Sequence, residues 1–294
     1  LLSVGLDVGT TSTQMVVSRR KVENRASVFA VPELAITQRE ILYESPVYFT
    51  PLLDESHVNG EKIREIVEEE YRKAGISRAQ VDTGAIIITG ETSRKENARA
   101  VLEALSDLAG EFVVATAGPD LESVLAAKGA GAVGYSEETG KTVLHMDIGG
   151  GTSNLALIQD GKIRKTGCLN VGGRLVKLSD TGEITYVSPV LQGLFAGKPG
   201  KKITQEEASA LADTLTRALE MAAGLREPTA LLNQLLTKET GEVWQPPEKP
   251  DVLSFSGGVA DCIEKAHPWL EFGDIGPILG QSIRKSRLCQ GQYR

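Results

Sequence analysis

Two aspartates sit where apolar runs give way to glycine and hydroxyl residues. Residues 145 to 158 read HMDIGGGTSNLALI, and residues 5 to 17 read GLDVGTTSTQMVV. The stretches superpose without a gap at a constant separation of 140 residues (147 less 7): Asp7 on Asp147, Gly9 on Gly149, Ser12 on Thr152, Thr13 on Ser153, Gln14 on Asn154. Glycine lets backbone N–H groups approach a ligand that a Cβ would hold off, and successive N–H groups form a nest for phosphate oxygens. Threonine and serine hydroxyls add donors at the same turn. A carboxylate beside a phosphate would repel it, and a hard divalent cation between them resolves the conflict. Mg²⁺ keeps several waters and bridges one or two carboxylates to nucleotide phosphates. Two such loops could grip β- and γ-phosphates from opposite sides of a cleft.

A third turn, Ser256-Gly257-Gly258, joins a short apolar strand to a helix. Free N–H groups at a helix start suit the nucleoside end or its α-phosphate. Taken alone, the Asp-x-Gly-Thr-Thr turn reads equally well as a tight hairpin; the three glycines and the paired aspartates favour the phosphate reading. His57, His145 and His267 have no partner at metal-ligand spacing and read as structural, although period two puts His145 on the same strand face as Asp147. Glu68 to Glu70 read as a solvated helix face, and Trp244 and Trp269 as packing residues.

These residues need elements to position them. Ser3 to Val8 and Thr13 to Ser18 read as a hairpin, followed by strands at 26–31 and 34–42. Glu61 to Gly75 has apolar residues at helical spacing and a glycine stop. Strand 85–89, helix 94–109, strand 112–116 and helix 121–129 continue the first half as βαβ units. The second half repeats the order: strands 142–148, 154–159 and 162–168 form a meander with an Asp160-Gly161 turn. Thr204 and Glu207 fit a capping box for a helix to Leu225. Strand 251–255 and helix 259–266 follow, and Ile283 to Arg294 reads as a basic, unpatterned tail. The expected domains are residues 1–140 and 141–294.

The bulk composition excludes several classes. With 294 residues, 41% hydrophobic and 24% charged, the chain has enough apolar material for two globular halves. A net charge of −7 and a pI near 5.2 leave no global positive field for nucleic acid. No apolar run approaches the roughly 20 residues that span a bilayer. Cys168, Cys262 and Cys289 lack metal spacing and read as reduced thiols of a cytoplasmic protein. A start at Leu1, without Met and already in a strand, reads as a piece of a longer protein.

In this order, GLDVGTTSTQ, HMDIGGGTSN and LSFSGGVADC resemble the phosphate-1, phosphate-2 and adenosine motifs of the actin, Hsp70 and sugar-kinase superfamily. The resemblance implies an α/β, actin-like ATPase fold of two duplicated ribonuclease-H-like halves around a nucleotide cleft. Longer segments, among them QREILYESPVYFTPL, VDTGAIIITGETSRKENARAV, CLNVGGRL and FGDIGPIL, look like the reactivating factors of ethanolamine ammonia-lyase from bacterial ethanolamine utilization. That likeness implies a chaperone that uses ATP and Mg²⁺ to release damaged cobalamin from its partner, the adenosylcobalamin enzyme ethanolamine ammonia-lyase. It also implies a missing C-terminal portion and a bacterial microcompartment as a candidate setting and leaves a homo-oligomer open, while the charge and the short apolar runs point to no nucleic-acid or membrane partner.

Carried over by motif, Asp7 holds Mg²⁺ waters, while Gly9, Thr10, Thr11 and Thr13 hold phosphates. Asp147 orients the metal or the attacking water, Gly149, Gly150, Gly151 and Thr152 hold the second phosphate face, and Gly257 and Gly258 meet adenosine. Many superfamily members carry Asp where this chain has Asn154, which implies a slow ATPase that times a conformational change. The competing classes are a small-molecule kinase of the sugar-kinase branch, for which no base carboxylate stands out, and a non-catalytic actin-like scaffold.

Overall fold

The computed structural model describes residues 1–9, 12–24, 34–53, 57–88, 97, 101, 105, 112–116, 118–238, 244–245 and 250–291. They form two compact units, Leu1–Gly118 and Pro119–Arg294.

In the first unit, β1 (Leu2–Val8), β2 (Ser12–Asn24) and β3 (Leu34–Glu44) form an antiparallel meander, and short β4 (Tyr48–Phe49) pairs with β2. Strands β5 (Thr83–Ile88) and β6 (Phe112–Thr116) add in parallel, giving the order β3-β2-β1-β5-β6. Alternation along β1 buries Val4, Leu6 and Val8 against Ile63, Val67 and Tyr71 of α1 (Gly60–Ala74). Asn59 caps that helix by accepting from Lys62 N–H, and Gly75 ends it at φ 67°, a left-handed conformation suited to glycine.

The second unit repeats the plan. Strands β7 (Val143–Ile148), β8 (Ser153–Gln159) and β9 (Lys162–Leu169) make the meander, with Asp160 at φ 49° and Gly161 at φ 68° turning β8 into β9. Strand β12 (Val252–Ser256) joins β7 in parallel, so the order is β12-β7-β8-β9. One face of this sheet packs Val143, Ala156, Ile158 and Val252 against Ala127 of α2 (Pro119–Gly129) and Ala132 of α3 (Ala132–Thr139). The other face packs Leu144, Met146, Ile148, Leu155 and Leu157 against Leu211, Leu215 and Leu219 of α4 (Gln205–Ala222). Cover on both faces explains why β7 reads as a continuous apolar run. In α4 the Thr204 hydroxyl accepts from Glu207 N–H while the Glu207 carboxylate accepts from Thr204 N–H, as the capping box requires.

Several expectations change. Strand β2 runs to Asn24, because its polar stretch is paired along β3 as far as Asn24 with Leu34. The strand expected at 26–31 lies outside the described residues, as does helix 94–109 apart from 97, 101 and 105. Helices α2 and α3 pack on the sheet of the second unit, although they precede residue 140. As far as residue 291 the supposed tail has regular structure: α7 (Gly276–Lys285) buries Ile283, and Leu288 beyond it is fully buried. Its glycines hid the helical pattern; a Cβ at Gly280 would lie 2.4 Å from the Cβ of Cys262. Hairpin β10 (Val176–Leu178) and β11 (Ile184–Val187), and helices α5 (Ala230–Leu235) and α6 (Gly258–Glu264), also belong to the second unit.

Glu68 to Glu70 is not a uniformly solvated face. Glu70 is fully buried and accepts from Tyr43 (2.8 Å), Tyr48 (2.5 Å) and Lys73 (2.8 Å), tying β3 and β4 to α1. Burial pushes its carboxyl up, but the bonds from Lys73, Tyr48 and Tyr43 outweigh that and hold it below the usual glutamate value.

Candidate functional site

The duplication seen in sequence is reproduced in register. In the first unit Asp7 lies opposite Gln14 and Val8 opposite Thr13; in the second, Asp147 lies opposite Asn154 and Ile148 opposite Ser153. Each aspartate therefore closes the first strand of a hairpin and stands at the mouth of its loop.

In the first unit Asp7 is exposed and Gly9 buried, while Thr10 and Thr11 fall outside the described residues. Thr13 is 1% exposed, and its hydroxyl lies 3.1 Å from that of Thr50, which donates to Gly9 O at 2.7 Å. Thr50 spends its proton on Gly9, so Thr13 donates to Thr50, and the pair braces the loop from behind.

Ser153, the counterpart of Thr13, does the same work in the second unit. It is fully buried and donates to Val171 O at 2.7 Å. The next residues hold the glycine loop by its carbonyls: Gly173 N–H donates to Gly149 O (3.1 Å) and Arg174 N–H to Gly150 O (2.6 Å). Gly172 is glycine for close approach, since a Cβ there would stand 2.3 Å from Gly150 O. Arg174 is in turn paired with Asp274 (3.2 Å), which also accepts from Gly276 N–H (2.7 Å), and Ile275 N–H donates to Gly173 O (3.0 Å). The segments CLNVGGRL and FGDIGPIL thus form a second layer under the loop.

The brace leaves the loop's remaining donors unused. Gly149 N–H closes the turn onto Thr152 O (2.9 Å), whereas the amides of Gly150, Gly151 and Thr152 take no acceptor among the described residues. A Cβ at Gly151 would meet nothing within 4 Å, and its φ is not left-handed. The fold itself does not demand glycine there, which fits a residue reserved for a ligand. Across the hairpin, Asn154 is 2% exposed and its Oδ1 has no hydrogen-bond partner among the described residues, a costly arrangement for a buried acceptor. Burial raises the Asp147 carboxyl above its ordinary value, and a 2.5 Å bond from the Ser256 hydroxyl opposes that rise. Free amides, a carboxylate and an unpartnered carbonyl oxygen fit an anionic ligand with a hard cation. No group of three His, Cys, Asp or Glu among the described residues encloses a metal, so such a cation would complete its shell from water and phosphate, as Mg²⁺ commonly does.

Gly257, at φ 88°, starts the third turn; its Cβ would sit 2.5 Å from Ile148 O, so it locks the turn onto the end of β7. Gly258, the first residue of α6, has nothing within 4 Å of a built Cβ. The second unit therefore brings Asp147, Gly149 to Thr152 and Gly257 to Gly258 to one end of β7 and β12. The sequence reading missed Thr50, Gly172, Gly173, Arg174, Asp274 and Ser256, because each acts by a contact remote in sequence.

This topology defines an actin-like ATPase fold. The Aquifex aeolicus Ppx/GppA phosphatase structure of the type II variant matches with a TM-score of 0.51 at 16% identity, covering 90% of this chain and 69% of that one. A second structure of that Aquifex aeolicus family member has a TM-score of 0.51 at 18% identity, over 90% of this chain and 68% of its own. Residues 1–293 match the model of the ethanolamine utilisation protein EutA family, and the chain belongs to that family. The ethanolamine ammonia-lyase reactivase EutA of Escherichia coli (strain K12) is 41% identical over 298 residues, 96% of this chain and 61% of its own length. Its namesake in Salmonella typhimurium (strain LT2) is 40% identical over 97% of this chain and 62% of its own length. The chain thus spans about three-fifths of the length of these relatives.

Proposed function

We propose that this chain carries the nucleotide site of an ATP- and Mg²⁺-dependent reactivase that frees ethanolamine ammonia-lyase, an adenosylcobalamin enzyme, of damaged cobalamin. The observation that carries the reading is the 41% identity, across 96% of the chain, to a relative named ethanolamine ammonia-lyase reactivase. The duplicated loops support its nucleotide chemistry. The amides of Gly150, Gly151 and Thr152 would orient phosphate oxygens, Asp7 and Gly9 would serve the other loop, and Gly257 and Gly258 would border the nucleoside. Thr13, turned inward, supports its loop from behind. Bound Mg²⁺ would neutralise charge between carboxylate and phosphate and polarise the phosphoryl group. Asp147 would hold a water in line with that group; the neutral amide of Asn154 opposite it leaves the site one carboxylate short, so hydrolysis is slow.

A slow step suits a chaperone, because the nucleotide state then lasts long enough to time a change of shape in a partner. No helix among the described residues is long and apolar enough to cross a membrane. The reading puts the protein in the cytoplasm beside its enzyme, with a bacterial microcompartment as the candidate setting.

The test mixes the protein with cyanocobalamin-blocked ethanolamine ammonia-lyase, ATP, Mg²⁺ and fresh adenosylcobalamin. Recovery of deaminase activity that requires ATP is expected. No recovery, or recovery indifferent to ATP, overturns the reading, and ADP release stimulated by a polyol would revive the kinase alternative.

A further inference from the structure

Strands β7 and β12 run parallel with His145 beside Ser254 and Asp147 beside Ser256. Period two puts all four side chains on one face, and they are joined end to end. Ser256 Oγ donates to Asp147 Oδ1 at 2.5 Å; His145 Nε2 lies 3.0 Å from Ser256 Oγ, and His145 Nδ1 lies 3.0 Å from Ser254 Oγ. A serine hydroxyl has one proton, and Ser256 gives its proton to the carboxylate. Its remaining capacity is to accept, so Nε2 of His145 carries hydrogen and donates. His145 is fully buried and meets serine hydroxyls at both ring nitrogens, surroundings that favour the neutral ring, so Nδ1 accepts from Ser254. The chain has one direction: Ser254 to His145 to Ser256 to Asp147.

The first unit is an internal control. Its equivalent strands, β1 and β5, pair Gly5 with Ala85 and Asp7 with Ile87. The same sheet plan therefore closes with apolar or absent side chains where the second unit buries a histidine and one serine and half-buries a second serine. Buried polar groups stabilise little on balance and are costly if any member is left unpaired. The second unit thus holds its aspartate by a device that the fold does not need, whereas Asp7 is exposed.

We propose that Ser256, oriented by His145 and Ser254, is a positioning residue that fixes the Asp147 carboxylate by Oδ1 and leaves Oδ2 to face the loop. Ser256 directly precedes Gly257 and Gly258, so the same hydroxyl joins the adenosine turn to the metal-side carboxylate. Displacement of that turn would pull on Ser256 and turn Asp147, which couples occupancy at one end of the nucleotide site to geometry at the other. This inference rests on the nucleotide reading for its consequence, but not for the existence of the relay.

Two measurements test it. In ¹⁵N-labelled protein without nucleotide, the His145 imidazole shifts should report the Nε2–H tautomer, and Ser256→Ala should move them toward tautomer exchange. An Nδ1–H tautomer, or shifts indifferent to the substitution, overturns the relay. The second measurement is calorimetric titration of ATP with Mg²⁺ and with EDTA. Outer-shell partners of a metal site are worth roughly 10- to 100-fold in affinity, so Ser256→Ala should weaken Mg²⁺–ATP binding about tenfold or more. Binding of ATP in EDTA should stay within about twofold, and Ser256→Thr, which keeps the hydroxyl, should restore the Mg²⁺ effect. Equal losses with and without Mg²⁺, or no loss, overturn the positioning role. If the unsubstituted protein binds no ATP, the nucleotide reading fails, and the imidazole shifts still decide the relay.

Discussion

Replacing Gly151 and Gly172 by alanine separates a glycine kept for a ligand from a glycine kept for the fold. A Cβ at Gly151 meets nothing within 4 Å, and the backbone there is not left-handed. Alanine at a compatible glycine position stabilises by roughly 0.4–1 kcal/mol through the unfolded chain, so Gly151→Ala should melt at or slightly above the parent. A Cβ at Gly172 would lie 2.3 Å from Gly150 O and 2.8 Å from Gly149 O, against the ~3.5 Å at which such contacts relax. Both obstacles are backbone, so the loop must shift, and the bonds from Gly173 N–H to Gly149 O and Arg174 N–H to Gly150 O are lost with it. At about 1 kcal/mol per bond and roughly 1–3 kcal/mol for a forced shift in packed surroundings, Gly172→Ala loses about 3–5 kcal/mol. For a unit of this size that lowers Tm by on the order of 10 °C. Calorimetric melting and Mg²⁺–ATP titration read both effects. Gly151→Ala should keep its melting temperature and lose one charge-assisted N–H contact, worth about 1.5–3 kcal/mol, or roughly 10- to 100-fold in affinity. Parent-like ATP binding by Gly151→Ala, or parent-like melting of Gly172→Ala, would refute the assignment of the two glycines.

Further outcomes follow from other contacts. Asn154→Asp sets a second carboxylate opposite Asp147; without divalent cation it should destabilise by about 1–3 kcal/mol at an effective dielectric near 20, and Mg²⁺ should restore the melting temperature, a rescue whose absence contradicts the cation reading. His145 is neutral when folded, with its pKa lowered to about 4, so the unfolded chain binds the extra proton first as pH falls. Its contribution is therefore intact above about pH 6.5 and is lost between there and about pH 4, by roughly 3 kcal/mol at the lower end; urea melts of the parent and His145→Gln should diverge over that window, and parallel curves would contradict it. Glu70→Leu leaves the Tyr43 and Tyr48 hydroxyls without their acceptor and should destabilise the first unit by about 2–3 kcal/mol. Because the Glu70 pKa is lowered, the parent's advantage over this variant should shrink as pH falls below the ordinary glutamate range, and guanidinium titrations at neutral and acid pH check it.

The sequence by itself determined the duplicated hairpins, the two aspartates and the glycine loops. These are local patterns: an apolar strand, a turn that needs small residues, and a second strand whose register follows from the turn. A constant separation of 140 residues therefore foretold that Asp7 pairs with Gln14 as Asp147 pairs with Asn154. The capping box of α4 and the glycine stop of α1 were legible for the same reason. Only the tertiary structure decided what stands behind the loops. Thr50 reaches Gly9 across 41 residues, Ser256 reaches Asp147 across 109, and Arg174 reaches Asp274 across 100. Sheet order sets these encounters, because a parallel strand arrives beside β7 only after a long crossover, and no local periodicity records which residue it brings. For that reason the sequence alone records neither the buried Thr13 hydroxyl that meets Thr50 nor the two serines of β12 that give His145 direction.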